Sequence, residues 1–429
     1  MLSQKQFALI VLPFFIFLFS CNSTTADEPA RIDWDSWGVP HISASSDTAL
    51  FFAQGWAQMH NHANHILRLY GRSRGRAAEY WGEDMLQNDL LIHTLKIPET
   101  AARWNEEQDP ELKRIYKAFV DGMNAYADAH PEAIADENRK LLPVSALDVN
   151  MHGLFVVFTR FVGGSELGRA QRWPDMGSNT YAIGPARSAS GNAMLVQNPH
   201  LPWSDEFLFF ESHFNLSGRN MYGVTLTGFP GIAIGFNDNL GWSHTDNTID
   251  NSDTYELNIE DGKYLLDGEL REFEVNTKTL NILAEDGSMK EQEIDLYSSE
   301  HGPVIKRTED KALALRLVGL DRPNMFLQWW RMINSSNIGE FEQALQMAQI
   351  PFWNVMYADK NGEIFYLFNG LVPERASGDW NYWNRIIPEG KSADIWTEVH
   401  PYEDLPKVRN PENGWLQNAN DPPWTSTIP

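Results

Sequence analysis

The chain of 429 residues is long enough for a large hydrophobic core, either in one layered domain or in two or three smaller ones. Its sixteen tryptophans exclude a disordered or low-complexity protein. The 58 acidic residues outnumber the 34 Lys and Arg residues, and the formal net charge of −24 disfavours binding to nucleic acids and anionic membrane surfaces. Small neutral or apolar molecules remain open as ligands.

The first residues have the pattern of an export signal. Lys5 precedes an apolar run over residues 7–19, which is too short for the roughly 20 residues of a membrane span and typical of a signal-peptide core. The run ends in Leu18-Phe19-Ser20-Cys21, which resembles a bacterial lipobox, whose cysteine is lipidated and becomes the mature N-terminus. Cys21 is the only cysteine of the chain, so an intrachain disulfide is excluded.

This pattern predicts a lipoprotein signal peptide over residues 1–20 and a polar tether over residues 21–29. We expect export to the periplasmic side of a bacterial membrane, with the outer membrane as destination and the lipid on Cys21 as the only membrane contact. The alternative is a simple cleavable signal with an incidental cysteine.

The remaining chain changes from helical to strand-like patterns. We predict a helical region over residues 30–162. Three of its segments begin with cap-like residues, near Asp47, Asp109 and Ser145, and in each segment apolar residues then recur with the period of a helix. Later, short apolar or alternating runs predict strands, with one more helix after Asn337. These runs cover residues 180–183, 193–197, 207–214, 221–226, 255–259, 273–283 and 312–320.

A polar, glycine-bearing linker, residues 163–177, separates the two regions and carries Arg169 and Arg172. A loop of this composition is exposed and open to cleavage. A cut between Gly177 and Ser178 would give Ser178 a free α-amine with a reference pKa of about 7.7 to 8.0, which can take the proton of the serine hydroxyl. One residue would then be nucleophile and base. The alternative is a serine that only opens a turn before a strand.

The residues around Ser178 resemble a known family. Ser178-Asn179, Tyr181 to Gly184 and Asn198 to Trp203 are similar to the start of the catalytic chain in the penicillin acylase family of N-terminal nucleophile hydrolases. His200 lies 22 residues after Ser178, as in the branch of acyl-homoserine lactone and aculeacin-type lipopeptide acylases, where penicillin G acylases carry glutamine. Further motifs follow in the family's order: Gly38 to Ile42, Gly55 to Gln58, Gly75-Arg76, Trp242 to Thr245, His301 to Val304, Gly370 with Pro373 and Arg375, and Gln417 to Asn420.

The resemblance implies an α+β fold, the four-layer αββα sandwich with two antiparallel sheets between helical layers. It implies a precursor that is cut between Gly177 and Ser178 into two associated chains, with residues 178–429 as the first part of the catalytic chain. The implied reaction is hydrolysis of the amide bond of a small N-acyl compound through an acyl-Ser178 intermediate, which requires no cofactor.

The resemblance also assigns roles. Ser178 is expected to be the nucleophile and base, and His200 to orient the amine side of the site and shape the oxyanion pocket with its backbone. Asn420 and the backbone N–H of Asp246 are expected to donate hydrogen bonds to the oxyanion. Asp246 departs from the branch, which usually has a small apolar residue there, and its carboxylate would oppose the oxyanion unless it points away or is neutralised.

Two further sets of residues are candidates for binding. Leu201 and Trp203 follow His200 closely enough to line an acyl pocket. Glu166, Asp250 and Asp253 match positions that hold calcium in penicillin acylases, and their hard oxygen atoms suit a structural calcium ion. The alternative is that these acids are solvated surface charges.

The substrate class rests on His200 and its neighbours, which favour the branch that removes fatty acyl chains from homoserine lactones or lipopeptides. One alternative is an acylase of the penicillin or cephalosporin type. Another, from a different class, is a truncated, non-catalytic lipoprotein, because the sequence stops nine residues after Asn420 while family members continue.

Overall fold

The computed structural model of the chain describes residues 30–168 and 177–424. The expected signal peptide, the tether that begins with Cys21, and Arg169 and Arg172 of the linker lie outside these residues. Within the described ranges, no helix combines the length and the apolar character that crossing a lipid bilayer requires.

The described residues form eleven α-helices: α1 Asp47–Ser73, α2 Ala77–Trp81, α3 Leu86–Thr94, α4 Ile97–Glu107, α5 Pro110–Ala129, α6 Asp136–Arg139, α7 Ala146–Val156, α8 Gly164–Gly168, α9 Met325–Asn334, α10 Ile338–Leu345 and α11 Trp380–Trp383. A π-helical turn, Val157–Val162, continues α7. The same residues form nineteen strands: β1 Arg31–Trp34, β2 Pro40–Ala44, β3 Gly177–Ile183, β4 Met194–His200, β5 Phe209–Leu216, β6 Arg219–Leu226, β7 Ile234–Asn237, β8 Leu240–Thr245, β9 Ser252–Glu260, β10 Lys263–Leu266, β11 Glu269–Arg271, β12 Glu274–Leu283, β13 Met289–Ser299, β14 Gly302–Arg307, β15 Lys311–Leu317, β16 Asn354–Asp359, β17 Ile364–Leu367, β18 Lys407–Arg409 and β19 Trp415–Asn418.

The N-terminal helices begin where the capping signals predict. Ser46 caps α1 and Asp109 caps α5 through side-chain oxygen atoms that accept backbone N–H groups. Ser145 and Asp148 form a capping box at the start of α7. Each cap satisfies donors that the first helical turn leaves without an internal partner, which fixes where the helix starts.

Two glycines bring α1 and α5 together. A Cβ atom on Gly55 would lie 1.9 Å from the carbonyl oxygen of Phe119, and one on Gly122 would lie 1.9 Å from that of Phe52. The backbones of the two helices therefore touch, and a larger residue at either glycine would force them apart. This pair forms the centre of a helical layer.

The largest sheet of the described residues has nine strands in the order β1-β2-β5-β6-β7-β8-β16-β17-β18. Its neighbouring strands are antiparallel except for β2 and β5, which run parallel. The region predicted as helical thus supplies the edge strand β1 and its neighbour β2 as well as helices. Strands β8 and β16 are buried along their whole length because both faces of the sheet are covered there. On one face, Phe341 of α10 stacks against Trp242 and Tyr357, with ring centroids 5.8 and 4.8 Å away.

A second sheet, with the order β19-β3-β4, covers the opposite face of β8, β16 and β17. Ala182 of β3 and Leu416 of β19 pack with Met356 and Tyr366 in a small apolar cluster between the two sheets. Since successive side chains of a strand point to opposite faces, Ser178 lies on the same inner face as Ala182. The sandwich therefore presents Ser178 to its interior.

The outer face of this second sheet carries apolar side chains in contact with solvent. Tyr181, Met194 and Val196 are 40%, 49% and 42% exposed. The helical layer, the nine-stranded sheet and the three-stranded sheet thus stack in that order within the described residues.

A further sheet lies to one side, with the order β11-β10-β9-β15-β14-β13-β12. The predicted strands 255–259, 273–283 and 312–320 correspond to β9, β12 and β15, although β15 ends at Leu317. β9 begins shortly after the loop that carries Asp246 and Asp250, so this sheet anchors one side of the candidate site.

Candidate active site

Ser178 lies at the start of β3 and is 5% exposed. Its hydroxyl donates a hydrogen bond of 2.5 Å to the carbonyl oxygen of Gly177, and its backbone N–H donates one of 2.7 Å to Oδ1 of Asn420. A Cβ atom on Gly177 would lie 2.8 Å from the same Oδ1, so glycine permits this approach. The nucleophile candidate therefore lies directly beside the bond that is expected to be cut.

Asn420 adopts the left-handed backbone conformation, with a φ of 70°. Its backbone N–H donates to Oδ1 of Asn418 at 2.9 Å, and its Nδ2 donates to the carbonyl oxygen of Asp246 at 2.8 Å. A side-chain amide nitrogen carries two hydrogens, so one N–H is left to donate to a reacting group. These contacts place the predicted oxyanion donor and the predicted second donor residue next to each other.

A network of buried, uncharged side chains supports this pair. Asn354 donates from Nδ2 to Oγ1 of Thr245, to the carbonyl oxygen of Asp246 and to Oδ1 of Asn418, at 3.1, 3.1 and 3.2 Å. The hydroxyl of Tyr366 donates to Oδ1 of Asn354 at 2.9 Å, which fixes the orientation of that amide. Asn354, Asn418 and Tyr366 are 0% exposed. Buried networks in which every group has a partner are rigid, so the Asp246 carbonyl and Asn420 are held in place.

The sequence patterns do not single out Asn354 or Tyr366. The signal that could have found Asn354 is an asparagine at the start of the otherwise apolar strand β16, where every residue is buried. A buried polar side chain at such a position needs several partners, and those partners come from distant parts of the chain.

An apolar cavity adjoins Ser178 and encloses about 520 Å³ of empty space, its open mouth included. Aromatic and aliphatic side chains line it, as is typical of small-molecule sites. The lining residues are Phe161, Ser178, Pro199, Leu201, Phe209, Leu226, Phe229, Ala233, Ile234, His244, Asp246, Trp329 and Trp353.

His244 is a second buried polar group, besides Ser178, in the wall of this cavity. Its Nδ1 contacts the carbonyl oxygen of Asn354 at 3.0 Å, and its Nε2 accepts a hydrogen bond of 2.9 Å from Nε1 of Trp329. Burial lowers the pKa of His244 to about 4, so the imidazole is neutral near pH 7. Trp329 thus fixes the orientation of the His244 ring in the wall of the cavity.

The two residues predicted to line the acyl pocket, Leu201 and Trp203, lie in different environments. Leu201 lines the apolar cavity, but Trp203 is 96% exposed and lies outside it, so the expectation that Trp203 lines an acyl pocket is wrong. The chain leaves β4 at His200 and turns outward, which carries Trp203 into solvent. His200 pairs with Gly177 across β3 and β4, and its side chain is exposed. The strand register therefore brings the backbone of His200, rather than its imidazole, to the scissile bond.

Asp246 follows β8 and is partly buried. Burial raises the pKa of its carboxyl to about 6, and a hydrogen bond with the Trp353 side chain opposes this shift. Asp246 also lines a second space, the polar cleft, which holds about 1260 Å³ including its open mouth. The polar cleft is lined by Arg160, Phe161, Val162, Gly164, Glu166, Asp246, Asn247, Thr248, Ile249, Asp250, Asn251, Phe352, Trp380 and Asn384.

The three acids expected to bind calcium have other partners. Arg375 forms ion pairs with Asp250 at 3.2 Å and with Asp253 at 3.0 Å. Asp253 also accepts a hydrogen bond of 2.6 Å from Nε1 of Trp396. Glu166 accepts one of 2.6 Å from the hydroxyl of Thr254.

A guanidinium thus occupies the position where a cation would neutralise these acids. Burial raises the pKa of Asp250 to about 6, and Arg375 acts in the opposite direction. In the described ranges, no group of three or more His, Cys, Asp and Glu side chains is arranged to hold a metal ion. The residues in this arrangement do not fit the expected calcium ion, because Arg375 would have to leave Asp253 first.

Comparisons with known proteins show the family of the chain. Residues 29–429 match the family described as penicillin amidase. The acyl-homoserine lactone acylase PvdQ of Pseudomonas fluorescens is 26% identical over 99% of this chain and 63% of its own length. The penicillin acylase 2 proenzyme of Pseudomonas sp. is 26% identical over 92% of this chain and 58% of its own length. The chain thus spans less than two thirds of the length of these curated relatives.

A solved structure shows the fold. The penicillin G acylase of Alcaligenes faecalis superposes with a TM-score of 0.50 at 23% identity, over 57% of this chain and 44% of that one. The expected α+β fold of the N-terminal nucleophile hydrolases is thereby confirmed. With the family match over nearly all its residues, this chain belongs to the penicillin amidase family.

Proposed function

We propose that this chain carries the catalytic centre of an amide hydrolase that removes acyl groups from N-acyl compounds, with Ser178 as N-terminal nucleophile. The observation that carries the proposal is the position of the Ser178 hydroxyl, 2.5 Å from the carbonyl oxygen of Gly177 and beside Asn420. Curated relatives named as acyl-homoserine lactone acylase and penicillin acylase support the reaction class.

The first step is self-cleavage. The hydroxyl oxygen of Ser178 attacks the carbonyl carbon of Gly177, the C–N bond breaks, and the acyl group moves from nitrogen to oxygen as an ester. Water then hydrolyses the ester and yields a Gly177 carboxylate and a free Ser178 amine. The contact between the Ser178 nitrogen and Oδ1 of Asn420 would persist and orient this amine.

In turnover, the free amine takes the proton of the Ser178 hydroxyl, and the oxygen attacks the substrate carbonyl. Nδ2 of Asn420 and the backbone N–H of Asp246 would stabilise the oxyanion. The amine of the substrate leaves with the proton, and water hydrolyses the acyl-Ser178 ester. Because buried partners hold Asn420 and Asp246, these donors need little reorganisation when charge develops.

The apolar cavity supports a fatty acyl group as the part of the substrate next to the scissile carbonyl. Each buried methylene contributes about 0.8 kcal/mol, close to fourfold in kcat/KM, until the cavity is filled. We therefore expect kcat/KM for N-acyl-homoserine lactones to rise from short to medium or long chains and to exceed the value for penicillin G.

The test is an assay of the full natural chain with a series of N-acyl-homoserine lactones and penicillin G, with products identified by mass spectrometry. Free homoserine lactone and a fatty acid are the expected products. A preference for penicillin G would favour the penicillin acylase alternative, since the aromatic lining could also hold a phenylacetyl group. A ring-opened lactone with its amide intact, or no hydrolysis at all, would overturn the proposal.

For the cellular location, we propose attachment through a lipid on Cys21. The lipobox-like Leu18 to Cys21 and the absence of any other cysteine in the sequence support it. Cys21→Ser should abolish labelling by a palmitate analogue and release the protein from the membrane fraction. Unchanged partitioning between membrane and soluble fractions would mean that the lipobox pattern is incidental.

A further inference from the structure

We propose that Asp246 selects N-acyl substrates whose leaving amine carries a second, positively charged group near the amide. This inference rests on the proposed function, because it assigns the chemical class of the leaving group in the same reaction. It concerns the side chain of Asp246, whereas the oxyanion role concerns its backbone.

The first observation is the position of Asp246 between two spaces. It lines the apolar cavity beside Ser178 and also the polar cleft on the other side. With the acyl chain in the apolar cavity and the scissile carbonyl at Ser178, the leaving group extends away from the acyl chain. The polar cleft shares Asp246 and Phe161 with the apolar cavity, so we assign the leaving group to the cleft.

The second observation is the charge of the polar cleft. Its lining contains three carboxylates, Glu166, Asp246 and Asp250, and one arginine, Arg160. Arg160 forms a buried ion pair with Glu206. The nearby Arg375 is likewise held by acids, through its ion pairs with Asp250 and Asp253. These two arginines are therefore matched by carboxylates other than that of Asp246.

The third observation is the state of the Asp246 side chain. In residues 30–168 and 177–424, no Lys, Arg or His forms an ion pair with it. A partly buried carboxylate without a counter-ion is costly, and burial accordingly raises its pKa to about 6, which still leaves it ionised near pH 7. A cationic substrate would supply the missing counter-ion.

The charge also affects the transition state. A carboxylate next to the developing oxyanion raises the barrier for a neutral substrate, because like charges repel strongly in a site of low dielectric constant. A positive group on the leaving amine would offset this repulsion while the substrate is bound. The same residue thus disfavours neutral leaving groups and favours cationic ones.

Three decanoyl amides of matched size test the proposal on the full natural chain. N-decanoyl-1,2-diaminoethane places an ammonium two carbons from the amide nitrogen, N-decanoylpropylamine replaces it with a methyl group, and N-decanoyl-β-alanine places a carboxylate there. We expect kcat/KM to fall in the order cation, neutral, anion, with roughly tenfold between the first two from Coulomb attraction at an intermediate dielectric constant. High salt should reduce this ratio.

The variant Asp246→Asn keeps the backbone N–H and the side-chain volume. It should bring the ratio between cationic and neutral amides close to one, chiefly by raising the rate for the neutral amide. Glu285→Gln is the matched control, since Glu285 is exposed in the turn between β12 and β13 and its loss changes the net charge equally. The control should retain the preference of the unmodified chain.

Equal rates for the three amides in the unmodified chain, a preference for the anion, or an unchanged ratio in Asp246→Asn would overturn this inference while amide hydrolysis stands. Hydrolysis of N-acyl-homoserine lactones but of none of the three amides would overturn this inference alone, whereas hydrolysis of neither series would overturn the proposed function as well. The substrate series alone decides the matter if the variant does not fold.

Discussion

Two polar clusters flank the loop from Thr245 to Asp253, and they are built differently. The uncharged cluster, Ser178, Thr245, Asn354, Tyr366, Asn418 and Asn420, is linked by hydrogen bonds between neutral groups. The charged cluster, Asp250, Asp253 and Arg375, is an ion network that includes the fully buried carboxylate of Asp253.

The difference between the clusters indicates which one supports catalysis and which one stabilises the fold. Neutral amides and hydroxyls can hold a backbone carbonyl and a donor in place without adding a field that opposes an oxyanion. A buried ion pair holds segments together, but its loss leaves an uncompensated charge. We therefore expect changes in the uncharged cluster to act mainly on turnover and changes in the charged cluster to act mainly on folding.

The largest effect is expected at Ser178. Ser178→Ala removes the proposed nucleophile and should abolish both self-cleavage and turnover, so that kcat should fall by about 10⁶. Because the side chain is small and lies at the start of a strand, the thermal midpoint should change little. Activity and intact mass of the purified variant measure both. Residual activity near that of the unmodified chain would show that the uncharged cluster is not the catalytic centre.

The next effect should appear in stability. Arg375→Met leaves Asp250 and Asp253 without a counter-ion, which should lower the free energy of unfolding by about 3–5 kcal/mol in a denaturant titration. Lys117→Met is the control, because the pair of Lys117 with Asp121 is 75% and 46% exposed and is worth about 0–1 kcal/mol. Equal destabilisation by the two variants would show that the charged cluster does not stabilise the fold more than an exposed ion pair does.

Asn420→Ala should act on turnover. If Asn420 is the proposed oxyanion donor, its loss should lower kcat by about 10²–10³ and leave KM nearly unchanged, because such a donor contributes mainly in the transition state. Asn192→Ala, at an exposed position before β4, is the matched control and should behave like the unmodified chain. A rise in KM at constant kcat would assign Asn420 to substrate binding instead.

Tyr366→Phe tests the support of the uncharged cluster from a distance. The change leaves Oδ1 of Asn354 without the donor that orients it, which should cost about 1–3 kcal/mol of stability and reduce kcat several-fold without a matching change in KM. Tyr181→Phe is the control, since Tyr181 lies on the exposed face of the second sheet. Loss of stability with an unchanged kcat would make Tyr366 purely structural.

The smallest effect is expected from calcium. Arg375 already neutralises two of the three acids once expected to bind the ion. A ligand that binds the folded state raises the thermal midpoint. Because we expect no calcium to bind, neither added calcium nor a chelator should change the midpoint. A thermal midpoint that falls when a chelator is added and recovers when calcium is added back would show that the protein binds calcium.

The parts that sequence patterns predicted well are those set by short-range rules. The cap-like residues near Asp47, Asp109 and Ser145 predicted the starts of three helices, and the predicted strand over residues 180–183 lies within β3, which begins earlier, at Gly177. The resemblance of the motif around Asn420 to the penicillin acylase family led to the residue that contacts the Ser178 nitrogen. In these cases the information lies within a few residues of the feature.

The parts that were missed depend on partners far along the chain. Arg375 reaches Asp253 across 122 positions, and no local pattern indicates that a guanidinium rather than a metal ion faces this acid. Asn354 has its partners in β8 and β19, and Trp203 points outward because of the way the chain leaves β4. Such pairings follow from how the sheets stack, which the pattern of any single segment does not contain.

The central claim is that Ser178 becomes a free N-terminus, and the N-terminal sequence of the purified, active protein tests it most directly. The chain should separate on a denaturing gel into a small and a large chain, with the large one beginning Ser-Asn-Thr-Tyr, whereas Ser178→Ala should remain whole. An active enzyme whose Gly177–Ser178 bond is uncut would contradict the account.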